Sequence, residues 1–234
     1  LSNNKSERVK DCFEGINRGI FAFNNAIDNV VFEPLAKGYR KLPSPIRTGT
    51  GNVLNNLSNL ITIPNNIFQG QIGTAGVNSM RLVINTTIGI LGIFDPASSI
   101  GLEKSGKEDY GQTFGSWGVG PGCYLVLPVL GPSTVRDAAG SIVSFYGGDP
   151  WYNITVKNDT HYVDDFEYYT SRVTTGVDFR AKNLDSLDNL EKNSMDFYAS
   201  VKSLWLQDRQ QKILNSDASI DTISDDDWEE IDTN

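Results

Sequence analysis

The residues best placed to do chemistry are two acidic pairs, one loop resembling a phosphate cradle, and a run of glycines. Glu108-Asp109 and Asp164-Asp165 are adjacent carboxylates. Glycoside hydrolysis needs two carboxylates facing each other across a substrate, which adjacency does not provide. Such acids favour helix N-termini, where the macrodipole welcomes negative charge, and that placement is expected for both pairs. Gly101-Leu102-Glu103-Lys104-Ser105-Gly106-Lys107-Glu108 approaches the phosphate-binding G-x-x-x-x-G-K-[ST] loop. Glu108 stands where a hydroxyl must hold magnesium, and no strand precedes the loop, so the match is a coincidence. Gly118-Val119-Gly120-Pro121-Gly122 has the wrong spacing for a dinucleotide fingerprint. A backbone that bends sharply or lets a ligand approach is the better account.

No catalytic constellation emerges. Ser133 follows Gly131-Pro132 rather than sitting in a nucleophile elbow, and nothing ties the single histidine, His161, to a nucleophile. Cys12, Cys123 and His161 cannot supply four N/S ligands to a structural zinc. Whether the two cysteines form a disulfide or stay as small apolar residues is open at this level. The expectation is a protein that is not an enzyme and needs neither metal nor cofactor.

The net charge of −9 misleads as an average. Eight of the 29 acids lie past Ser216 with no Lys or Arg among them, and the remaining 21 nearly balance the 20 bases. A neutral body lacks the basic stripe that binding nucleic acid requires. No run of 18 apolar residues exists to span a membrane, the longest being Tyr124 to Leu130, and the alternation of a membrane barrel is missing. The chain begins at Leu1 without a charged or apolar leader, as expected where a signal peptide has been removed.

The elements that position these residues read as helices. Residues 1–10 are polar and expected to fray. Asp11 to Glu14 reads as a capping box, followed by Phe13, Ile16, Ile20, Phe23, Ile27 and Val30 at helical spacing. Asn17, Arg18, Asn24, Asn25 and Asp28 form the opposite face, and Pro34 should end or interrupt the helix. After the Lys41–Pro45 turn, a helix from about Arg47 aligns Val53, Leu54, Leu57, Leu60 and Ile61. Pro64 then opens a short segment ending at Gln69-Gly70. A further helix is expected over Ile72–Thr87, rich in small polar residues that permit close approach between helices. Residues 88–132 hold too many glycines and prolines for anything beyond short helices and loops. Gly131-Pro132-Ser133 should start a helix through Phe145, with Ser133 as its cap.

A long stripe from Val163 to Leu187 follows, and a last helix from about Met195 to Leu214. Residues 215–234 read as a disordered acidic tail. Residues 11–214 thus form a single all-α domain. Its amphipathic helices can cover a soluble core or lie in a membrane interface. The aromatics Trp151, Tyr152, Tyr168, Tyr169 and Trp205 suit an interfacial belt and an ordinary core nearly equally.

Several segments in order also resemble the VacJ/MlaA lipoprotein family. They are Glu14-Gly15-Ile16-Asn17-Arg18 with Phe21-Ala22-Phe23-Asn24, then Pro34 to Arg40, Leu42 to Arg47, Asn66 to Gln69-Gly70, and Arg81 to Gly89. Asp95-Pro96-Ala97, Glu108-Asp109-Tyr110-Gly111-Gln112-Thr113 and Gly131 to Arg136-Asp137 complete the set. The resemblance covers roughly Asp11 to Gln207. It implies a membrane-embedded, ring-like assembly of amphipathic helices around a polar channel. Such a protein removes phospholipid misplaced in the outer leaflet of a bacterial outer membrane, working from the periplasmic side. A trimeric porin holds it, and a soluble periplasmic carrier receives the lipid. The alternative is a soluble periplasmic lipid-binding carrier.

On this reading Asn85, Thr86, Thr87 and Arg81 face the channel or brace its wall. Packing helix against helix is the equal alternative for Asn85, Thr86 and Thr87. The segment containing Gly118, Gly120, Gly122, Pro128, Gly131 and Pro132 is expected to be a gating hinge. Arg81, Arg136 and Asp137 either form structural pairs or meet a phosphate. The lipidated cysteine such proteins carry is not among Leu1 to Lys10, so the anchor is lost or lies outside this chain. Cys12 lacks a lipobox and stands where the family commonly has Pro.

Overall fold

The computed structural model describes residues 9–157 and 164–214. His161, Val163, most of the segment expected to fray and the acidic tail lie outside the described residues. The described chain is helical apart from one two-stranded hairpin. Helices α1 (Glu14–Ile27), α2 (Glu33–Arg40), α3 (Ser44–Phe68), α4 (Ile72–Thr87), α5 (Pro96–Ser99) and α6 (Tyr110–Ser116) precede the strands. Strands β1 (Tyr124–Leu127) and β2 (Gly131–Thr134) are followed by α7 (Val135–Val143), α8 (Pro150–Tyr152), α9 (Asp165–Lys182), α10 (Leu184–Asn193) and α11 (Phe197–Leu214).

Helical spacing correctly marks α1, but Asp11 does not cap it. No side chain caps α1. Asp11 instead accepts hydrogen bonds from Asn17 Nδ2 (2.7 Å), Lys202 Nζ (3.1 Å) and the Tyr198 hydroxyl. A charge-assisted set of donors outweighs a single helix amide. Pro34 does interrupt the helix. A π-helical turn over Asp28–Phe32 precedes α2, and Pro34 falls in the first turn of α2, where its missing N–H costs nothing.

Pro64, in contrast, opens no new segment. It lies inside α3, which runs unbroken to Phe68. Packing along α4 offsets the lost backbone bond. Gly70, at φ +77°, supplies the left-handed residue that ends α3. Helix α4 spans the expected residues.

The hairpin is the element that sequence reasoning missed. Residues 131–134 pair with β1 in the register Tyr124↔Thr134 to Leu127↔Gly131, rather than starting a helix. Helix α7 therefore begins after them. Its cap is Thr134, whose Oγ1 accepts from Asp137 N (3.2 Å), not Ser133. It also ends before Phe145, in a π-helical turn over Ser144–Gly148. The long stripe ending at Leu187 is broken at Asn183 into α9 and α10.

Helix α1 completes the sheet edge in an unusual way. Asn17 and Asn24, two turns apart on one helix face, stand in for a third strand. Asn17 donates to Tyr124 O (3.1 Å) and accepts from Val126 N (2.9 Å). Asn24 donates to Leu127 O (2.9 Å) and accepts from Val129 N (2.8 Å). A side-chain amide carries both a donor and an acceptor, so it satisfies an outward C=O and N–H pair that would otherwise be an open edge.

The base of the hairpin is closed by aromatics. Tyr124, Val126 and Tyr198 are buried together, with Phe21 and Trp205 packed edge-on around them. Lys10 is held here by Tyr124 N (2.8 Å), and Val9 packs on the cluster. Cys12 and Cys123 form a disulfide across the same junction, with Cα atoms 5.6 Å apart. Replacing both cysteines with Ser should destabilise the fold by about 2–4 kcal/mol, read as a lower unfolding midpoint. The same loss should follow reduction of the wild type.

Helices α6 and α7 cross where two glycines touch. A Cβ on Gly140 would lie 2.4 Å from Gly111 N, and one on Gly111 would lie 2.4 Å from Asp137 Oδ1. Gly140→Ala should cost about 1–3 kcal/mol in thermal unfolding, because backbone rather than a flexible side chain must yield. Gly15→Ala, at a position with open space around it, should be neutral or stabilising.

Candidate functional site

The helices turn their polar faces inward. Helix α4 buries Ala75, Asn78, Arg81 and Asn85 and exposes Ile72, Met80 and Val83. Helix α3 buries Asn56, Thr62, Asn65 and Asn66 and exposes Ile46, Ile67 and Phe68. Helix α1 buries Asn17 and exposes Ile16 and Phe23. Among the described residues, buried polar and charged side chains outnumber buried apolar ones, of which several are alanines. Water-soluble interiors have the opposite composition. No helix among the described residues is long and apolar enough to cross a membrane.

The inward faces meet in a hydrogen-bonded seam between α3, α4 and α6. Asn78 donates to Ser105 Oγ (2.7 Å) and Asn66 Oδ1 (2.9 Å), and Asn66 donates to Gln71 Oε1 (2.8 Å). Thr113 donates to Asn65 Oδ1 (2.7 Å), while Gln69 donates to Thr113 Oγ1 (3.2 Å) and Glu108 Oε2 (2.8 Å). Sequence reasoning gave no site role to Asn65, Asn66, Asn78 or Thr113, and met Asn66 and Thr113 only within the family segments. Their signal was available as polar residues at helical spacing within otherwise apolar stretches.

Arg81 and Asn85 serve a second knot. Arg81 forms a two-point pair with Asp95 (2.9 and 3.0 Å) and also donates to Ser98 Oγ and Leu102 O. Asn85 donates to Asp95 Oδ1 (2.9 Å) and accepts from Ala97 N (3.1 Å). Burial opposes charge on Asp95, but hydrogen bonds from Ser98, Asn85 and Arg81, with the Arg81 charge, hold it well below the ordinary carboxylate range. Arg81 thus forms a structural pair. Thr86 accepts from Asn56 Nδ2 (2.9 Å), and Thr87 bonds back to Val83 O (2.7 Å) on the outer surface.

A third knot joins α6, α7 and α11. Asp109 caps α6 through Gln112 N, as expected of an acid at a helix start, and Asp164 caps α9 in the same way. Arg209 bridges Asp109 (2.6 Å) and Asp137 (2.8 Å), and Arg136 pairs with Asp137 (3.1 Å). Burial opposes ionisation of Asp109, yet Arg209 keeps its carboxyl below the usual range. Gly111 is small because these groups crowd it. Arg209 had no motif to announce it. Arg18 ties α1 to Asp196 (2.6 Å) and pairs with Glu14 within α1 (2.8 Å), and Arg180 joins Asp28 and Asp188.

The aromatics divide. Tyr168 is buried and Trp205 packs on Tyr124, so neither belongs to an outer belt, whereas Tyr169 is exposed. The residues expected to form a hinge lie across the loop before β1, the hairpin turn and β2. Gly118, Gly122 and Gly131 are in the left-handed region, as is Val129 at the turn. No group of three metal-ligating acids, histidines or cysteines occurs among the described residues.

Glu108 is the seam's one strongly perturbed carboxyl. Burial pushes it up to about 7, the Asp109 charge adds to this, and the Gln69 hydrogen bond with Arg209 and Lys212 offsets part. The folded state therefore holds this proton more tightly than the unfolded chain. Its contribution to stability is full below about pH 4.5 and falls as pH rises through about 7. Glu108→Gln should flatten the melting temperature against pH over this window and raise it above pH 7 relative to wild type. An unchanged slope would remove Glu108 as its source.

The fold and its seam define a helical protein with a polar, ion-paired interior and an apolar exterior. The model of the MlaA lipoprotein family matches residues 9–212. The intermembrane phospholipid transport system lipoprotein MlaA of Haemophilus influenzae is 32% identical over 247 residues, spanning 99% of this chain and 92% of that protein. Its Escherichia coli counterpart is 31% identical over 84% of this chain and 76% of its own length. A Rickettsia prowazekii protein is 34% identical over 88% of this chain and 78% of its own length. A structure solved to explain the maintenance of bacterial outer membrane lipid asymmetry superposes with a TM-score of 0.74 at 29% identity. It covers 87% of this chain and 99% of the other. The chain belongs to the MlaA lipoprotein family.

Proposed function

We propose that this protein is an outer-membrane component of intermembrane phospholipid transport. It removes phospholipid misplaced in the outer leaflet and passes it to a soluble periplasmic carrier, while a trimeric porin holds it in place. The observation that carries this reading is the reversed partition of side chains, with polar groups inside and large apolar groups outside. Helices lying flat in the inner leaflet satisfy their own backbones and turn their apolar faces to acyl chains. A headgroup crossing between them needs polar walls, because an unpaired polar group in hydrocarbon costs several kcal/mol, roughly 2–7.

In this arrangement Arg81 and Asn85 brace the wall through Asp95 and Thr86 continues it through Asn56, while Thr87 stands on its outer side. The segment from Gly118 to Pro132, including Gly120, Gly122, Pro128 and Gly131, gates the path, with Asn24 latching the hairpin turn. The Cys12–Cys123 disulfide supports an oxidising compartment such as the periplasm. A soluble carrier calls for a polar exterior, and the apolar outer faces favour the membrane-embedded reading.

A strain lacking the protein should accumulate outer-leaflet phospholipid, and the wild-type gene should clear it. Thr86→Leu, at normal abundance, should restore clearance only in part. If deletion leaves outer-leaflet phospholipid unchanged, the transport reading is wrong for this chain. If the variant clears lipid as well as wild type, Thr86 does not belong to the wall.

A further inference from the structure

We propose that the cavity between α1, the hairpin turn and the α9–α11 end of the fold is a headgroup site. It selects phospholipids that end in a primary ammonium, such as ethanolamine. The inference rests on the lipid-handling reading above and adds to it the class of headgroup preferred and the residue that reads it.

The walls of the cavity follow from helical spacing. Phe21, Asn24, Asn25 and Asp28 fall at i, i+3, i+4 and i+7, one stripe that faces the cavity. The π-helical turn brings Phe32 to the same side. Across from them, Leu187 and Glu191 on α10 and Phe197 and Val201 on α11 are i, i+4 pairs. Val129 and Gly131 of the hairpin turn close a third side, and Arg180 of α9 lies buried at the edge. The cavity holds about 230 Å³. That is the space of roughly seven waters at about 30 Å³ each, which suits a headgroup and the carbons behind it rather than a whole lipid.

The charges decide what enters. Arg180 Nε pairs with Asp28 (2.9 Å), its Nη2 pairs with Asp188 (2.9 Å), and its Nη1 donates to Leu184 O (3.3 Å). One guanidinium is thus divided between two carboxylates before Glu191 is counted. Glu191 accepts from Asn25 Nδ2 (3.1 Å), and among the described residues no lysine or arginine pairs with it. Lys37, the other cation near Asp188, pairs with Glu33. Asp28, Asp188 and Glu191 against Arg180 leave this corner short of positive charge.

A glycerol phosphate headgroup would bring further negative charge with no cation to receive it, which burial makes costly. A primary ammonium does the reverse. It offers one positive charge and three donors, and Glu191 and Asp28 supply the acceptors. A choline headgroup has the charge but no N–H, so it gains the attraction without the bonds. Behind the ammonium, the headgroup and glycerol carbons meet Phe21, Phe32, Phe197 and Val201, with Phe21 and Phe197 edge to face at 5.4 Å. A free amine would leave this apolar surface facing water, so the rings favour a lipid as the source. Asp28 also holds Arg180 for the fold. Glu191 is exposed and tied to Asn25, so it can be replaced with that framework intact.

The full chain in a nonionic detergent would be mixed with equal amounts of dihexanoyl phosphatidylethanolamine, phosphatidylcholine and phosphatidylglycerol. Native mass spectrometry would count the lipid retained. The ethanolamine lipid should be held over the glycerol lipid on the order of tenfold, the size of one charge-assisted hydrogen bond, with choline between them. Glu191→Gln should lose most of this preference and Glu191→Lys should reverse it, with both variants unfolding near the wild-type temperature. Glu191→Gln, close to the native shape, carries the test if the lysine disturbs the fold. Phosphoethanolamine without acyl chains should fail to displace the bound lipid. Equal retention of the ethanolamine and glycerol lipids by the wild type, or a preference that survives both substitutions, would overturn the site. Displacement by phosphoethanolamine at the lipid's own concentration would overturn a lipid as its occupant. None of these outcomes touches the transport reading, which stands or falls on outer-leaflet lipid in cells.

Discussion

A buried amide or carboxylate without a partner costs about 1–3 kcal/mol, so an interior made of Asn, Gln, Thr, Asp and Arg stands or falls on its pairing. This constraint organises the molecule. Asn65, Asn66 and Asn78 bond across helices, and Asp95, Asp109 and Asp137 each meet an arginine. The knot at Arg209 on α11 joins segments distant in sequence, where it closes on Asp109 and Asp137. A hydrophobic interior tolerates sliding between helices. A paired polar one does not, because a shift of an ångström or two breaks several bonds together.

The same constraint explains the small residues and the exterior. Side-chain hydrogen bonds of 2.9 Å across α3 and α4 require the helices to lie close. At the α6–α7 crossing only glycines permit that approach. With polar groups consumed inside, the large apolar side chains have nowhere to go but out, and the exposed Ile, Leu, Val and Phe follow. Such a surface is stable against a medium as apolar as itself, which joins the chemistry of the seam to the proposed place in lipid.

The hairpin follows a related logic. Two strands alone are marginal. Here the free edge of β1 is closed by Asn17 and Asn24, its base by the Tyr124–Tyr198–Trp205 cluster and its foot by the disulfide. The turn end, with Val129 in the left-handed region and Leu130 exposed, is held by Asn24, the β2 pairing and a local bond from Leu130 N to Pro128 O. One end of the element is thus fixed and the other lightly held, which suits a part proposed to move.

The sequence by itself determined the helices whose apolar residues recur every three or four positions, so α1, α4 and α11 are legible within a few residues. It also determined the acids at the starts of α6 and α9, because capping is local chemistry. The ordered segments from Glu14 to Asp137 marked the family. Tertiary structure alone decided which face of each helix points inward, since periodicity is the same for a helix on a soluble core and for one turned towards lipid. It also decided that Pro64 stays within α3, that 131–134 pairs as a strand, and that Cys12 meets Cys123. In each case the deciding contact lies far away in sequence. Arg209 is the sharpest instance. Nothing near it distinguishes a surface arginine on an amphipathic helix from the cation that holds two aspartates, one of them buried, 100 and 72 residues away.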